Sequence, residues 1–256
     1  MNLTDYCVAI TGGSEGFGLA MGQALIDSGA RVALISRSEA KLSAAREALA
    51  SDRVITIAAD VGREAEIAAA LAETVTSFGG LDAVVNNAGI ARPQKIESLD
   101  YDEVVQQIKT NYLGTLFCCK AAIPLLRQSD NPRIVNISSA SAFHQDEMSH
   151  LSVYASLKAG IERFTRDLVN EVAGDGIGVT CIRPGAGDTR FASEWESQAL
   201  LDALKAWSES GKWMRIGMAA ADVGRAVAFA LSQPRGVAVD LLEIRPNQQT
   251  EKLNLG

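Results

Sequence analysis

A chain of 256 residues with 47% hydrophobic and 21% charged side chains can bury one large core, and nothing in its composition suggests bulk disorder. Its formal net charge of −7 argues against binding a phosphate backbone, which needs clustered Lys and Arg. No apolar run approaches the roughly 18 residues of a membrane span, and the segment Met1–Asp5 lacks the basic start of a signal peptide, so a cytoplasmic protein without nucleic-acid or membrane partners is expected.

The first apolar run, Tyr6 to Ile10, ends in Thr11-Gly12-Gly13-Ser14-Glu15-Gly16-Phe17-Gly18, after which a helical pattern continues to about Ser28. Strand, glycine turn and helix in that order suit a dinucleotide pyrophosphate, because the backbone N–H groups and the positive end of the helix dipole face it and no Cβ stands in its way. Arg31 to Ser36 is a continuous apolar run of the parallel-sheet kind. It ends at Arg37, where an acidic residue would read a ribose 2′-OH and an arginine accommodates a 2′-phosphate. Arg37 therefore favours NADP, whereas the charge of Glu15 in the glycine turn opposes it and favours NAD.

A helix from Glu39 to Ala50 precedes the strand Val54–Ala59, which closes at Asp60-Val61, and a second helix runs from Glu64 to Phe78 and stops at Gly79-Gly80. Leu81 to Val85 is the fourth strand, ending in Asn86-Asn87-Ala88-Gly89, where Asn can hold a sharp exit and Ala-Gly leaves backbone bare. Asp100 with Glu103 predicts a capping box for a long helix, Tyr101 to Arg127. Val104, Ile108, Asn111, Thr115 and Cys118 share one stripe of it, which puts Asn111 on a buried face where its amide must find partners. A second apolar stripe, Val105, Tyr112, Leu116, Cys119 and Ile123, suggests a homodimer or homotetramer.

Asp130-Asn131-Pro132 turns into the strand Arg133–Ser138, with Ser139 at its end. The loop Ser141 to Ser152 holds both histidines, His144 and His150, neither spaced from a carboxylate or nucleophile in a way that suggests catalysis. Tyr154 and Lys158, four apart in the next helix, share the face continued by Ile161 and Leu168, so both point inward. The strand Gly178–Ile182 leads to Pro184-Gly185-Ala186-Gly187-Asp188-Thr189. Residues 189–218 contain Trp195, Trp207 and Trp213, with Leu200, Leu204 and Trp207 on one helical face. They predict either a lid over an apolar substrate or an interface between subunits. A helix over Asp222–Ser232 and a strand over Val237–Ile244 complete the pattern. The four cysteines, Cys7, Cys118, Cys119 and Cys181, lie within apolar runs and lack metal-ligand spacing, so no metal is expected.

Taken together, the glycine turn, Asn86-Asn87-Ala88-Gly89, Tyr154-x-x-x-Lys158 and Pro184-Gly185-x-x-x-Thr189 resemble the short-chain dehydrogenase/reductase family. The alternation of strands and helices independently implies an α/β fold, a doubly wound parallel sheet of about seven strands in a single domain over residues 1–256. The resemblance implies hydride exchange between a nicotinamide and a carbonyl or secondary alcohol. It assigns Thr11, Gly12, Ser14, Gly16, Phe17, Gly18, Arg37, Asp60, Val61, Asn87, Ala88, Gly89, Pro184, Gly185, Gly187 and Thr189 to the cofactor. Asp60 would meet the adenine amino group, and the Pro184–Thr189 loop would hold the nicotinamide amide. Tyr154 would be the acid or base, Lys158 its cationic partner and a ribose ligand, Ser139 the holder of the substrate oxygen, and Asn111 the anchor of a relay water. Ser138 and Ser141 are rivals for the role of Ser139. Arg183 departs from the family's Asn, and Gly187 from its usual apolar residue, which predicts a looser carboxamide clamp. An NADP-preferring reductase is the expected function; an NAD-linked alcohol dehydrogenase and a catalytically idle NADP sensor are the alternatives.

Overall fold

The computed structural model describes residues 2–144, 149–187, 195–210, 213–215 and 217–251. Strand β1 (Cys7–Thr11) leads into helix α1 (Gly16–Asp27), β2 (Arg31–Ser36) into α2 (Glu39–Leu49), and β3 (Val54–Ala58) into α3 (Glu64–Phe78). After β4 (Ala83–Asn86) come α4 (Tyr101–Gln107), a π-helical stretch (Ile108–Leu113) and α5 (Gly114–Leu126). The chain continues through β5 (Arg133–Ile137), α6 (Ser152–Val172), β6 (Gly178–Pro184), α7 (Ser197–Glu209), β7 (Trp213–Arg215), α8 (Ala220–Leu231), β8 (Leu241–Ile244) and β9 (Gln249–Glu251).

Seven strands form one parallel sheet in the order β3-β2-β1-β4-β5-β6-β8, so the direction of winding reverses between β1 and β4. The strand ends at that reversal are where a doubly wound sheet opens a crevice. Side chains alternate along each strand and divide the core in two. Val8, Ile10 and Leu34 pack with Met21, Leu25 and Val227 on one face. Ala9, Ala33 and Ile35 pack with Ile67, Leu71 and Leu168 on the other.

Four details depart from the sequence-based expectation. The capping box is half formed: Asp100 Oδ1 accepts the Glu103 N–H at 2.9 Å, but the Asp100 N–H donates to Gln94 Oε1 at 3.0 Å, and Glu103 is drawn to the Gln94 amide at 2.6 Å. The wide π turn shifts the phase of the long helix, so Gln107, Thr110, Asn111, Gly114 and Thr115 are buried while Ile108 is exposed. The last strand begins at Leu241 rather than Val237, because the chain turns at Pro234 to Val237 and the Val237 carbonyl accepts from Arg133. A short antiparallel pair, β7 with β9, was not expected at all. Among the described residues, no helix is long and apolar enough to cross a membrane.

Candidate active site

The glycine turn and the exit of β4 are stitched together. Thr11 Oγ1 accepts the N–H groups of Asn87 and Ala88 at 3.0 and 3.1 Å, and the Asn87 amide donates to the Thr11 and Gly12 carbonyls at 3.0 and 3.1 Å. Gly12 (φ +64°) and Gly16 (φ +54°) take left-handed backbone that favours glycine. At Gly18 the reason is close approach: a Cβ would collide with the Gly12 carbonyl oxygen and lie 2.8 Å from the Asn87 amide. These contacts leave the start of α1 facing a cleft of about 710 Å³. One end of the cleft is lined by Ser36, Arg37, Ser38 and Lys41, its middle by the glycine turn, Asp60, Val61 and Asn87 to Gly89, and its other end by Ser139, Tyr154, Lys158 and Pro184 to Gly187.

Two residues at the first end bear on each other. Glu15 caps no N–H of α1 with its side chain; instead its carboxylate pairs with Lys41 Nζ at 2.7 Å, both side chains about two-fifths exposed. Lys41, in the first turn of α2 four residues beyond Arg37, carried no signal in the sequence. Asp60 does the ordinary work of a turn residue, accepting the Gly62 N–H at 2.9 Å, and lines the cleft as well.

At the far end, α6 begins beside the end of β5, which carries Tyr154 and Lys158 into the interior; only 8% and 4% of their surfaces are exposed. Lys158 Nζ donates to the Ile137 carbonyl at 2.7 Å and lies 5.8 Å from the centre of the Tyr154 ring. Burial pushes the tyrosine up to about 12, against a lowering from its hydrogen bond with Ser139, and pushes the lysine down to about 8. Within the chain itself, burial therefore outweighs the lowering that a neighbouring cation was expected to give Tyr154.

The lysine's shift has a measurable consequence. An unfolded lysine keeps its proton to about pH 10.5, whereas the buried one gives it up near pH 8. The unfolded state therefore binds more protons between these values, and stability rises with pH across that window. Comparison of the parent with Lys158→Met by urea unfolding should show a gain on the order of 3 kcal/mol in the parent alone from pH 8 to 10.5.

The three serines separate cleanly. Ser138 borders the cleft but is buried, and its hydroxyl is turned inward to Glu162 Oε1 at 2.8 Å and the Lys158 carbonyl at 3.2 Å. Ser139 Oγ accepts both the N–H and the O–H of Ser141, at 3.3 and 2.9 Å, which leaves its own proton to point elsewhere. Asn111 is fully buried, as its stripe implied, and its amide clamps Ile90, accepting the N–H and donating to the carbonyl at 2.7 Å each.

The space beside Gly187 is occupied. A Cβ there would lie within 2.5 Å of the Phe17 ring, so Phe17 fills from the glycine turn the volume that residue 187 leaves. Arg183 turns away from the cleft into ion pairs with Glu162 and Glu243. Trp195 packs with Ala91, Leu151 and Tyr154, and Trp207 joins it edge to face at 6.1 Å, which places these aromatics over the catalytic end. Thr189 and the side chain of Trp213 lie outside the described residues.

Glycine cradle, cleft and buried Tyr–Lys pair suit a dinucleotide, and comparison with known proteins agrees. The family model for short chain dehydrogenases matches residues 6–200. An uncharacterized oxidoreductase of Staphylococcus aureus is 32% identical over 95% of this chain and 98% of its own. A 3-ketoacyl-(acyl-carrier-protein) reductase from Brucella melitensis, solved with NADH, superposes with a TM-score of 0.83 at 25% identity, covering 96% of this chain and 99% of that one. An alcohol dehydrogenase from Thermococcus sibiricus, solved with 5-hydroxy-NADP, gives 0.78 at 25% identity over 94% and 96% of the two chains. The chain is an oxidoreductase that belongs to the short-chain dehydrogenase/reductase family.

Proposed function

We propose that this oxidoreductase reduces a largely apolar carbonyl compound, or oxidises the corresponding secondary alcohol, with NADP as its preferred cofactor. The observation that carries the reading is the convergence of Ser139, Tyr154 and Lys158 at one end of a cleft whose other end is basic. A bound nicotinamide would supply the hydride. Ser139, its lone pairs engaged by Ser141, donates its proton to the substrate oxygen and polarises the carbonyl. Tyr154 Oη then gives its proton to the alkoxide, so that hydride on carbon and proton on oxygen make the alcohol. Lys158 stabilises the tyrosinate left behind, and its ammonium, about 3.5 Å from where a Cβ on Gly89 would stand, would hold a ribose hydroxyl of the bound cofactor. Asn111 fixes Ile90 at the cleft wall, and through it would position the relay water. Trp195 and Trp207 cover the substrate, which is why an apolar one is favoured.

The preference for NADP rests on the charge at the adenosine end. Lys41 neutralises Glu15, so the repulsion that Glu15 alone would exert is offset and Arg37 adds a net positive charge. Arg37→Ala combined with Lys41→Ala should raise KM for NADPH about tenfold or more while changing KM for NADH little, because one phosphate-directed charge contact contributes about 1.5–3 kcal/mol. Absorbance at 340 nm against aldehydes, ketones and 3-oxo acids, with each cofactor in turn, tests the whole reading. A parent enzyme that prefers NADH would leave the mechanism standing and overturn the cofactor assignment. Exposure of Tyr101 (78%) and Ile108 (36%) on the α4 side supports the further proposal of a homodimer or homotetramer.

A further inference from the structure

The densest buried charge in the described structure lies behind the catalytic end of the cleft. Glu162 follows Lys158 by one turn on the inner face of α6, and Arg183 is the residue before Pro184 in β6; they are 8% and 5% exposed. The guanidinium grips the carboxylate with two bonds, Nε to Oε1 at 2.8 Å and Nη2 to Oε2 at 2.5 Å, and donates a third through Nη1 to Glu243 Oε2 on β8 at 2.6 Å. Glu162 Oε1 also receives the Ser138 hydroxyl, which lies 3.2 Å from the Lys158 carbonyl. The other side of Arg183 stacks 4.8 Å from the ring of Phe143, in the segment that follows Ser139.

This pair therefore touches each segment that carries a reacting group: the helix of Tyr154 and Lys158, the strand end of Ser138-Ser139, and the turn at Pro184-Gly185. Stability is a poor explanation for it, since buried ion pairs are often replaced by apolar side chains without loss. A rigid, bidentate fork does something apolar side chains cannot, which is to fix the relative distance and rotation of the elements it joins.

We propose that Glu162 and Arg183 are positioning residues, holding α6, Ser139 and the Pro184–Gly187 turn in the register that hydride and proton transfer require. The proposal rests on the carbonyl-reductase reading of this site given above. Misplacement of reacting groups by about 1 Å can cost on the order of a hundredfold in rate.

The test is the double variant Glu162→Met, Arg183→Met, which removes both charges together and leaves neither buried alone. Thermal unfolding should shift by less than about 5 °C, as expected for an apolar replacement of similar volume, while kcat falls at least tenfold, on the order expected for lost alignment. KM for NADPH should rise far less than kcat falls, the inflections of the kcat–pH profile should hardly move, and hydrogen exchange should quicken at the amides of residues 152–158 and 185–187. The single variant Arg183→Lys, which retains one bond to Glu162 but not the fork, should keep part of the rate. A double variant with parental kcat and parental exchange would overturn the proposal, as would a loss of kcat that merely follows a collapse in unfolding temperature. If the parent reduces none of the carbonyls tried, the proposed carbonyl reduction fails on that result alone, and unchanged exchange in the double variant sinks the positioning role separately.

Discussion

Tyr154→Phe should abolish measurable reduction while leaving NADPH binding within about threefold of the parent. The phenol is the group that the proposed mechanism uses to protonate the alkoxide, and loss of general acid catalysis costs typically 10²–10⁴-fold in rate. Binding survives because the phenyl ring keeps its packing against Leu151, Ala91 and Trp195. It also keeps the ring under which Lys158 sits at 5.8 Å. Fluorescence titration with NADPH measures the binding, and stopped-flow absorbance measures the hydride step. A variant that turns over at more than about a tenth of the parental rate would remove Tyr154 from the mechanism. Loss of binding together with rate would instead mark the hydroxyl as part of the fold, through its hydrogen bond with Ser139.

What the sequence made legible was whatever local spacing controls. Strand–helix alternation is set by apolar period, so α3 and β2 fell on the expected residues and the parallel sheet followed. The Tyr154–Lys158 pair was readable because four residues bring two side chains to one helical face. Contacts between elements distant in the chain were not readable. Lys41 and Glu15 are 26 residues apart, and Arg183 meets Glu162 21 residues away and Glu243 60 residues away. Glu162 did leave a signal, an acid on the same inward face as Ile161 and Leu168, whose partner could only be found in three dimensions. The π turn left none, since Ile108 and Asn111 fit an α-helical stripe equally well until one wide turn separates them. Gly187 was read as a deletion of volume; without the fold there was no way to see that Phe17 supplies it.

That exchange of volume between Phe17 and Gly187 makes a prediction of its own. Gly187 is fixed by the neighbouring backbone, since the Met218 N–H donates to the Ala186 carbonyl at 2.9 Å and residues 187 and 218 form a bridge. A methyl group at 187 therefore cannot retreat; the Phe17 ring must move, and with it the start of α1 or the wall of the cleft. The clash is with the tip of a partly exposed ring, so its cost lies near the low end of the about 1–3 kcal/mol of overpacking, and a ring displaced toward the cleft in Gly187→Ala should weaken NADPH binding by about fivefold. Phe17→Leu shortens the side chain where the clash occurs. Alone it opens a gap and costs little; combined with Gly187→Ala it should recover most of the lost affinity, with a coupling energy of about 1 kcal/mol in the double-mutant cycle. Strictly additive losses would mean that the ring is not what opposes the methyl group. In that case another neighbour of residue 187, such as the Met218 carbonyl 3.6 Å from the added Cβ, opposes it, and the volume once expected at residue 187 is not shared between the two loops after all.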